Sequence, residues 1–397
     1  MKRILISLLA LILCVALVSC TSDLQEIKRT DYTLDKGGQV DGYDCAYGME
    51  ELMNILSGIY DYDGDIVEMG KDVVDPIVDF DDALLFKGEQ YSLPVRIYYY
   101  LMAGLKTSGY IGTDYNTLLG DEEFWDSLYP DLAINFKDHS MKYGMQVCKD
   151  MVASMHAYKD FGYTPTNNDA VSFESVLSVF GSVDALNEFY AAYGMNDTLL
   201  KEYFKLNNIY MGLKDYLVGL SGEYYPNEEE CKEYYYDECV YMHQIVFSYV
   251  YTNPDRYVLY KDEETIESLR KQGKELYAKI VDNPAMFERN QHLTQEADWE
   301  QNVQGYFYTP TEIQEELYDA YKKLMPGEIT AIDTPIGYYI IKAVDKTDTS
   351  YHMNEDRVIT SYCEKIYSDL ISPYYDKFTL DTVQYERYSF DEILLLK

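Results

Sequence analysis

Between Leu132 and Met242 apolar residues return every three or four positions, the spacing that keeps one helical stripe turned toward a core. Leu199, Tyr203, Leu206, Tyr210, Leu213 and Leu217 draw the clearest stripe and predict a helix over Thr198 to Leu220. Met145 to Tyr158 reads as another long helix, closed by Gly162 and the Thr164-Pro165-Thr166-Asn167 turn. Phe173, Leu177 and Phe180 form the next stripe; Ser182 then caps Val183 to Tyr193, with Gly194 as the breaker. Pro226-Asn227 opens a helix from Glu228 to about Cys239. Earlier in the chain, Met49 to Tyr60 is apolar at helical spacing, and Ser92 is placed to cap a helix starting at Leu93-Pro94 and carrying Ile97, Tyr98, Leu101 and Leu105. The plain reading of these stripes is helix-on-helix packing.

The pattern changes after Cys239. Val240 to Val246 reads as a strand, and Ile266 to Ile280 as a helix. Leu269, Leu276 and Ile280 form that helix's inner stripe. Ala83-Leu84-Leu85-Phe86 with Lys87-Gly88 reads as a short strand and turn, and Glu355 to Leu370 as an amphipathic helix.

The N-terminus carries address information. Lys2-Arg3 precede an apolar run from Ile4 to Val18, too short and wrongly flanked for a spanning helix, and Leu17-Val18-Ser19-Cys20 resembles a bacterial lipobox. That resemblance implies cleavage before Cys20, a lipid on Cys20 and an extracytoplasmic, membrane-tethered protein. Thr21 to about Gln39 is polar and reads as the tether.

A net charge of −36 repels phosphate backbones and anionic headgroups, so nucleic acid is excluded as a partner class, while self-repulsion favours solubility. With 47% apolar residues the chain fills a core. Its 44 tyrosines suit either packing or grooves that grip varied ligands. After Cys20 there remain Cys45, Cys148, Cys231, Cys239 and Cys363, without CxxC spacing, and the histidines lack metal-ligand spacing. Asp61-Tyr62-Asp63-Gly64-Asp65 has its glycine in the wrong place for a calcium loop and reads as an acidic turn. No metal or cofactor is expected.

The run Gly337, Tyr338, Ile340, Ile341, Lys342 resembles the closing strand of parvulin-type peptidyl-prolyl isomerases, with Tyr339 where that family carries a histidine. Leu317 through Leu324 to Pro326-Gly327-Glu328 matches the same family's spacing, and His243 falls on the histidine of its first strand. The resemblance implies a network of His243, Tyr339 and Thr334, a proline pocket lined by Ile313, Leu317 and Phe307, and a central acid or cysteine for which Thr294, Glu296 and Asp298 are candidates. The order of parts resembles the PrsA and SurA foldases, in which N- and C-terminal segments form a helical chaperone lobe around an isomerase insert.

The expected fold is therefore α+β: a mostly helical lobe with an inserted small domain, an antiparallel sheet flanked by helices. The expected boundaries are a signal peptide over 1–19, a tether over 20–40, a helical domain over 41–237, a parvulin-like domain over 238–346, and a C-terminal helical segment over 347–397 that packs on the N-terminal lobe. The expected partners are unfolded or partly folded secreted polypeptides, and the membrane through Cys20.

Prolyl isomerisation needs no nucleophile, because its barrier of about 18–20 kcal/mol is amide resonance. A catalyst must hold the proline in an apolar pocket and favour the twisted amide. Tyr339 offers one hydroxyl but cannot bridge two partners as an imidazole does. A foldase with weak or vestigial isomerase activity, or a non-catalytic holdase, fits these residues. A solute-binding lipoprotein would need repeated strand-helix units, which the long helical middle does not provide.

Overall fold

A computed structural model describes residues 39–40, 43–44, 83–107, 122–129, 133–254, 257–296, 299–387 and 390. The leader, Cys20, the Met49 to Tyr60 helix and the acidic turn lie outside the described residues. The chain divides into two compact units: Met1–Asp121, Ser140–Leu213 and Ile371–Lys397 form one, and Glu122–His139 with Lys214–Leu370 form the other. The architecture is α+β, as expected.

In the first unit the helices Val95–Thr107, Asn168–Phe180 and Val183–Tyr190 are joined by most of Phe136–Ala157 and Asp197–Val218. A three-stranded antiparallel sheet places Leu84–Gly88 between Leu93–Pro94 and Phe378–Leu380, so the end of the chain pairs with a strand near its beginning. Leu93-Pro94 was expected to open a helix; instead Leu93 pairs with Phe86, and the helix begins at Val95. The Ser92 hydroxyl accepts from the Gly88 amide at 3.1 Å, closing the turn rather than capping the helix. Ser182 does cap its helix, accepting from the Ala185 amide.

Tyrosines make much of this unit's core. The Tyr100 ring lies 5.0 Å from Tyr203, 6.1 Å from Tyr190 and 6.5 Å from Tyr193, and all four are buried. Edge-on and tilted contacts of this kind bring positive ring edges to negative ring faces. Burial pushes the Tyr100 phenol well above its ordinary range.

The second unit is built on a four-stranded antiparallel sheet in the order Tyr306–Tyr308, Val240–Ser248, Gly337–Ala343, Ile329–Thr334. Both faces of the central strand are covered. On one, Ile245, Phe247 and Tyr249 pack with Tyr338 and Ile340 against Leu269, Leu276, Ile280 and Phe287 of the Glu263–Asp282 and Met286–Asn290 helices. On the other, Val240, Met242 and Val246 pack with Tyr339 and Ile341 against Ile313 and the Glu315–Tyr321 helix. Each fully buried apolar side chain contributes about 1.5–3 kcal/mol, so this sandwich dominates the unit's stability.

In the Glu355–Ile371 helix, Val358 packs with Cys231, Tyr234 and Tyr235, residues inside the helical stretch expected over 41–237, and with Tyr351 and Phe307; Tyr362 stacks on Tyr234 at 4.7 Å. An Asn227–Glu230 capping box opens the Glu228–Asp237 helix, and at its far end the Lys346 ammonium donates to the Tyr235 and Tyr236 carbonyls at 3.0 and 2.8 Å. Burial lowers the Lys346 pKa to about 8. The described cysteines Cys148, Cys231, Cys239 and Cys363 are all free thiols.

Gly273 lets the Glu263–Asp282 helix approach the sheet: a Cβ there would come within 2.4 Å of the Tyr338 ring. Gly273→Ala is expected to destabilise the unit by about 1–3 kcal/mol through overpacking, despite the better helix propensity of alanine. Thermal unfolding followed by circular dichroism checks this, and an unchanged midpoint would refute the close-approach account.

Candidate functional site

Directly opposed residues of paired strands project from the same sheet face, and neighbours along a strand project from opposite faces. Tyr339 is opposite Val246, Gln244 opposite Ile341, and His243 opposite Lys342. Tyr339 and Gln244 therefore share one face, and His243 stands on the other. The histidine that the sequence suggests as Tyr339's partner is one residue out of phase with it.

On its own face His243 lies opposite Lys342, which is ion-paired with Glu288 of the neighbouring helix. Burial and the Lys342 charge hold its pKa below the ordinary imidazole value, with Glu288 opposing. Phe307 is also turned away from the expected pocket. It lies opposite Tyr241, stacks on Tyr235 at 6.0 Å, and carries the Arg357 guanidinium 4.7 Å above its ring.

The Tyr339 face brings together the rest of the expected pocket. Ile313, Leu317 and Tyr339 are 6%, 3% and 6% exposed and belong to one cluster, so the site is closed rather than open. Thr334 is buried at the end of the Ile329–Thr334 strand, where its hydroxyl donates to the Gly337 carbonyl at 3.1 Å and fixes the turn. Of the candidates for the central position, the Thr294 hydroxyl accepts from the Val246 amide at 3.1 Å, and the Glu296 carboxylate accepts from Gln244 at 3.4 Å. Asp298 lies outside the described residues.

Two glutamines that sequence reasoning passed over complete this face. Gln244 is 5% exposed and donates through Nε2 to Glu296 and, at 3.3 Å, to the Tyr308 hydroxyl. Gln314 is 4% exposed and donates through Nε2 to the Tyr339 hydroxyl at 3.4 Å. The Oε1 atom of each is buried without a hydrogen-bond partner. An unmatched buried acceptor costs about 1–3 kcal/mol, an expense a folded chain seldom keeps without a use. Chemically, the face offers apolar walls, the phenols of Tyr339 and Tyr308, and two carbonyl acceptors. That set suits holding a peptide more than moving a proton.

No family model and no curated protein matches the chain. Among solved structures it is similar to the peptidylprolyl isomerase PrsA of Bacillus cereus, at 17% identity over 68% of this chain and 99% of that one, with a TM-score of 0.28. It is also similar to the foldase protein PrsA of Streptococcus pneumoniae, at 13% identity over 63% and 89%, TM-score 0.26. For PrsA of Bacillus subtilis the values are 15% over 64% and 91%, TM-score 0.20. At such scores no residue is carried over by superposition.

The folded state resists protonation of His243 while the unfolded chain accepts it near pH 6.5, so this residue favours folding above about pH 6.5 and that contribution is lost as pH falls below it. His243→Gln is expected to flatten the loss of stability between about pH 7 and 5, with His156, also lowered by burial, supplying part of the slope that remains. Urea midpoints across that range test this; coincident slopes for the two proteins would remove the burial argument.

Proposed function

We propose that this chain is an extracytoplasmic foldase-type chaperone, tethered through a lipid on Cys20, that holds unfolded or partly folded secreted polypeptides and retains only vestigial prolyl isomerase activity. The observation that carries this reading is the division of the expected active residues between the two sheet faces. Tyr339, Ile313 and Leu317 share a face with Gln244, and His243 does not. Ile313 and Leu317, two of the three residues expected to line a proline pocket, stay beside Tyr339, while the first-strand residue that faces the same way is a glutamine.

Holding a client needs apolar surface and hydrogen-bond partners for its backbone, which this face provides. Catalysis needs the twisted amide to be bound better than the planar one. With a neutral carboxamide and a phenol there, differential binding is expected to be small. The lipobox-like Leu17-Val18-Ser19-Cys20 supports the tether and hence the class of client. No helix among the described residues is long and apolar enough to cross a membrane.

In a protease-coupled tetrapeptide assay the full chain should accelerate isomerisation only weakly, and His243→Ala should leave whatever rate is found within about twofold. A large loss in that variant would return His243 to the site and overturn the reading. The chaperone claim is checked separately: the protein should delay aggregation of a reduced secreted substrate at stoichiometric concentration, and failure to do so counts against it directly. Cys20→Ser should abolish incorporation of labelled fatty acid; persistent labelling would place the anchor elsewhere.

A further inference from the structure

Within the unit built mainly from Lys214–Leu370, one piece of chain arrives from far away in sequence: Glu122–His139. It carries a short helix, Glu122–Asp126, and a two-stranded antiparallel hairpin of Leu128–Tyr129 and Ile134–Asn135. The Phe136 amide donates to the Ser127 carbonyl at 3.0 Å and closes the hairpin's base.

Its apolar side chains join the Tyr339 face. Leu128 is 7% exposed and belongs to the cluster that holds Tyr339, Ile313 and Leu317, and Ala133 packs against that cluster. The Phe124 ring meets Tyr257 edge-on at 5.6 Å and stacks on Phe136 at 4.8 Å. The hairpin thus covers apolar surface of the kind a client segment would need.

The polar part of the face is treated differently. Gln244 and Gln314 each keep a buried carbonyl oxygen without a partner, so the hairpin supplies apolar surface and no matching donor. An extended polypeptide carries a backbone N–H at every residue except proline, and such groups are what these oxygens lack. The occupant is also weakly built, since its strands are two residues each and a hairpin of that size has little stability of its own.

We propose that Glu122–His139 is an internal occupant of the client site, displaced when an apolar, extended polypeptide segment brings N–H donors to Gln244 and Gln314. The inference rests on the reading that the Tyr339 face receives clients. It makes binding an exchange: apparent affinity is reduced by the fraction of chains whose hairpin is in place.

A fluorescein-labelled peptide of Phe, Ala and Pro residues, titrated into the full chain, tests this. Leu128→Asp removes the hairpin's apolar anchor and should lower the Kd about tenfold or more; an unchanged or higher Kd in the folded variant overturns the proposal. Gln314→Leu should weaken the peptide about tenfold while leaving the melting temperature unchanged or higher, which a merely structural glutamine would not do. If Leu128→Asp does not fold, hydrogen exchange on the unaltered protein decides. Saturating peptide should strip protection from 122–129 and 133–139 and add it to 240–248, and a hairpin that keeps its protection sinks the idea. A peptide that binds neither protein, both folded, removes the client reading itself; one that binds both equally removes only the internal occupant.

Discussion

The pairing of Val240–Ser248 with Gly337–Ala343 decides which side chains meet in the second unit. A strand repeats every two residues, so a register shift of one would move every inward side chain to the opposite face. Here the register holds Tyr339, Val246, Gln244 and Ile341 together, and sends His243, Lys342, Tyr338 and Ile340 to the side covered by the Glu263–Asp282 helix. The Tyr338 ring fills the space that Gly273 leaves open, so the pairing is locked from that side as well. Which side chains gather around Tyr339, and which stand with His243, both follow from this one alignment.

Helices were the legible part of the fold. Leu199 to Leu217 and the capped run after Ser182 carry unambiguous three-and-four spacing, and the helices Asp197–Val218 and Val183–Tyr190 fall where that spacing puts them. The faces of the central strand were not legible. Tyr241, Ile245 and Phe247 are as apolar as Val240, Met242 and Val246, because both faces are buried, so alternation gave no phase for His243. Family resemblance alone then had to choose between neighbouring residues, and the register puts Gln244 rather than His243 on the Tyr339 face. Gln314 was hidden for a different reason: between Ile313 and Glu315 it reads as an ordinary polar residue at a helix start. The Leu128 hairpin could not be read at all, since a long-range contact leaves no local periodicity.

Tyrosine is used in two ways. Its rings contact one another and build core, around Tyr100 in the first unit and at Tyr234–Tyr362 and Tyr235–Tyr351 in the second. Its phenols also end in hydrogen bonds, Tyr91 to Glu202 and Tyr375 to Asp150 in the first unit, Tyr318 to Glu238, Tyr249 to Asp333 and Tyr235 to Ser350 in the second. An acidic chain with few cations has many carboxylates that no lysine or arginine can neutralise, and a phenol is a donor that adds no charge. Abundant tyrosine and strong negative charge are then two sides of one arrangement.

That arrangement gives the molecule a built-in optical record of its own folding. A phenol absorbs differently once it becomes phenolate, and burial holds Tyr100, Tyr190 and Tyr203 protonated beyond the range where exposed tyrosines ionise. Their contribution to stability is complete below about pH 10 and is lost as alkali rises past it, because only the unfolded chain releases those protons. An alkaline titration would therefore register surface phenols first, then the buried set in a single cooperative step as the helical unit opens. The same rings that make the core would mark the moment it comes apart.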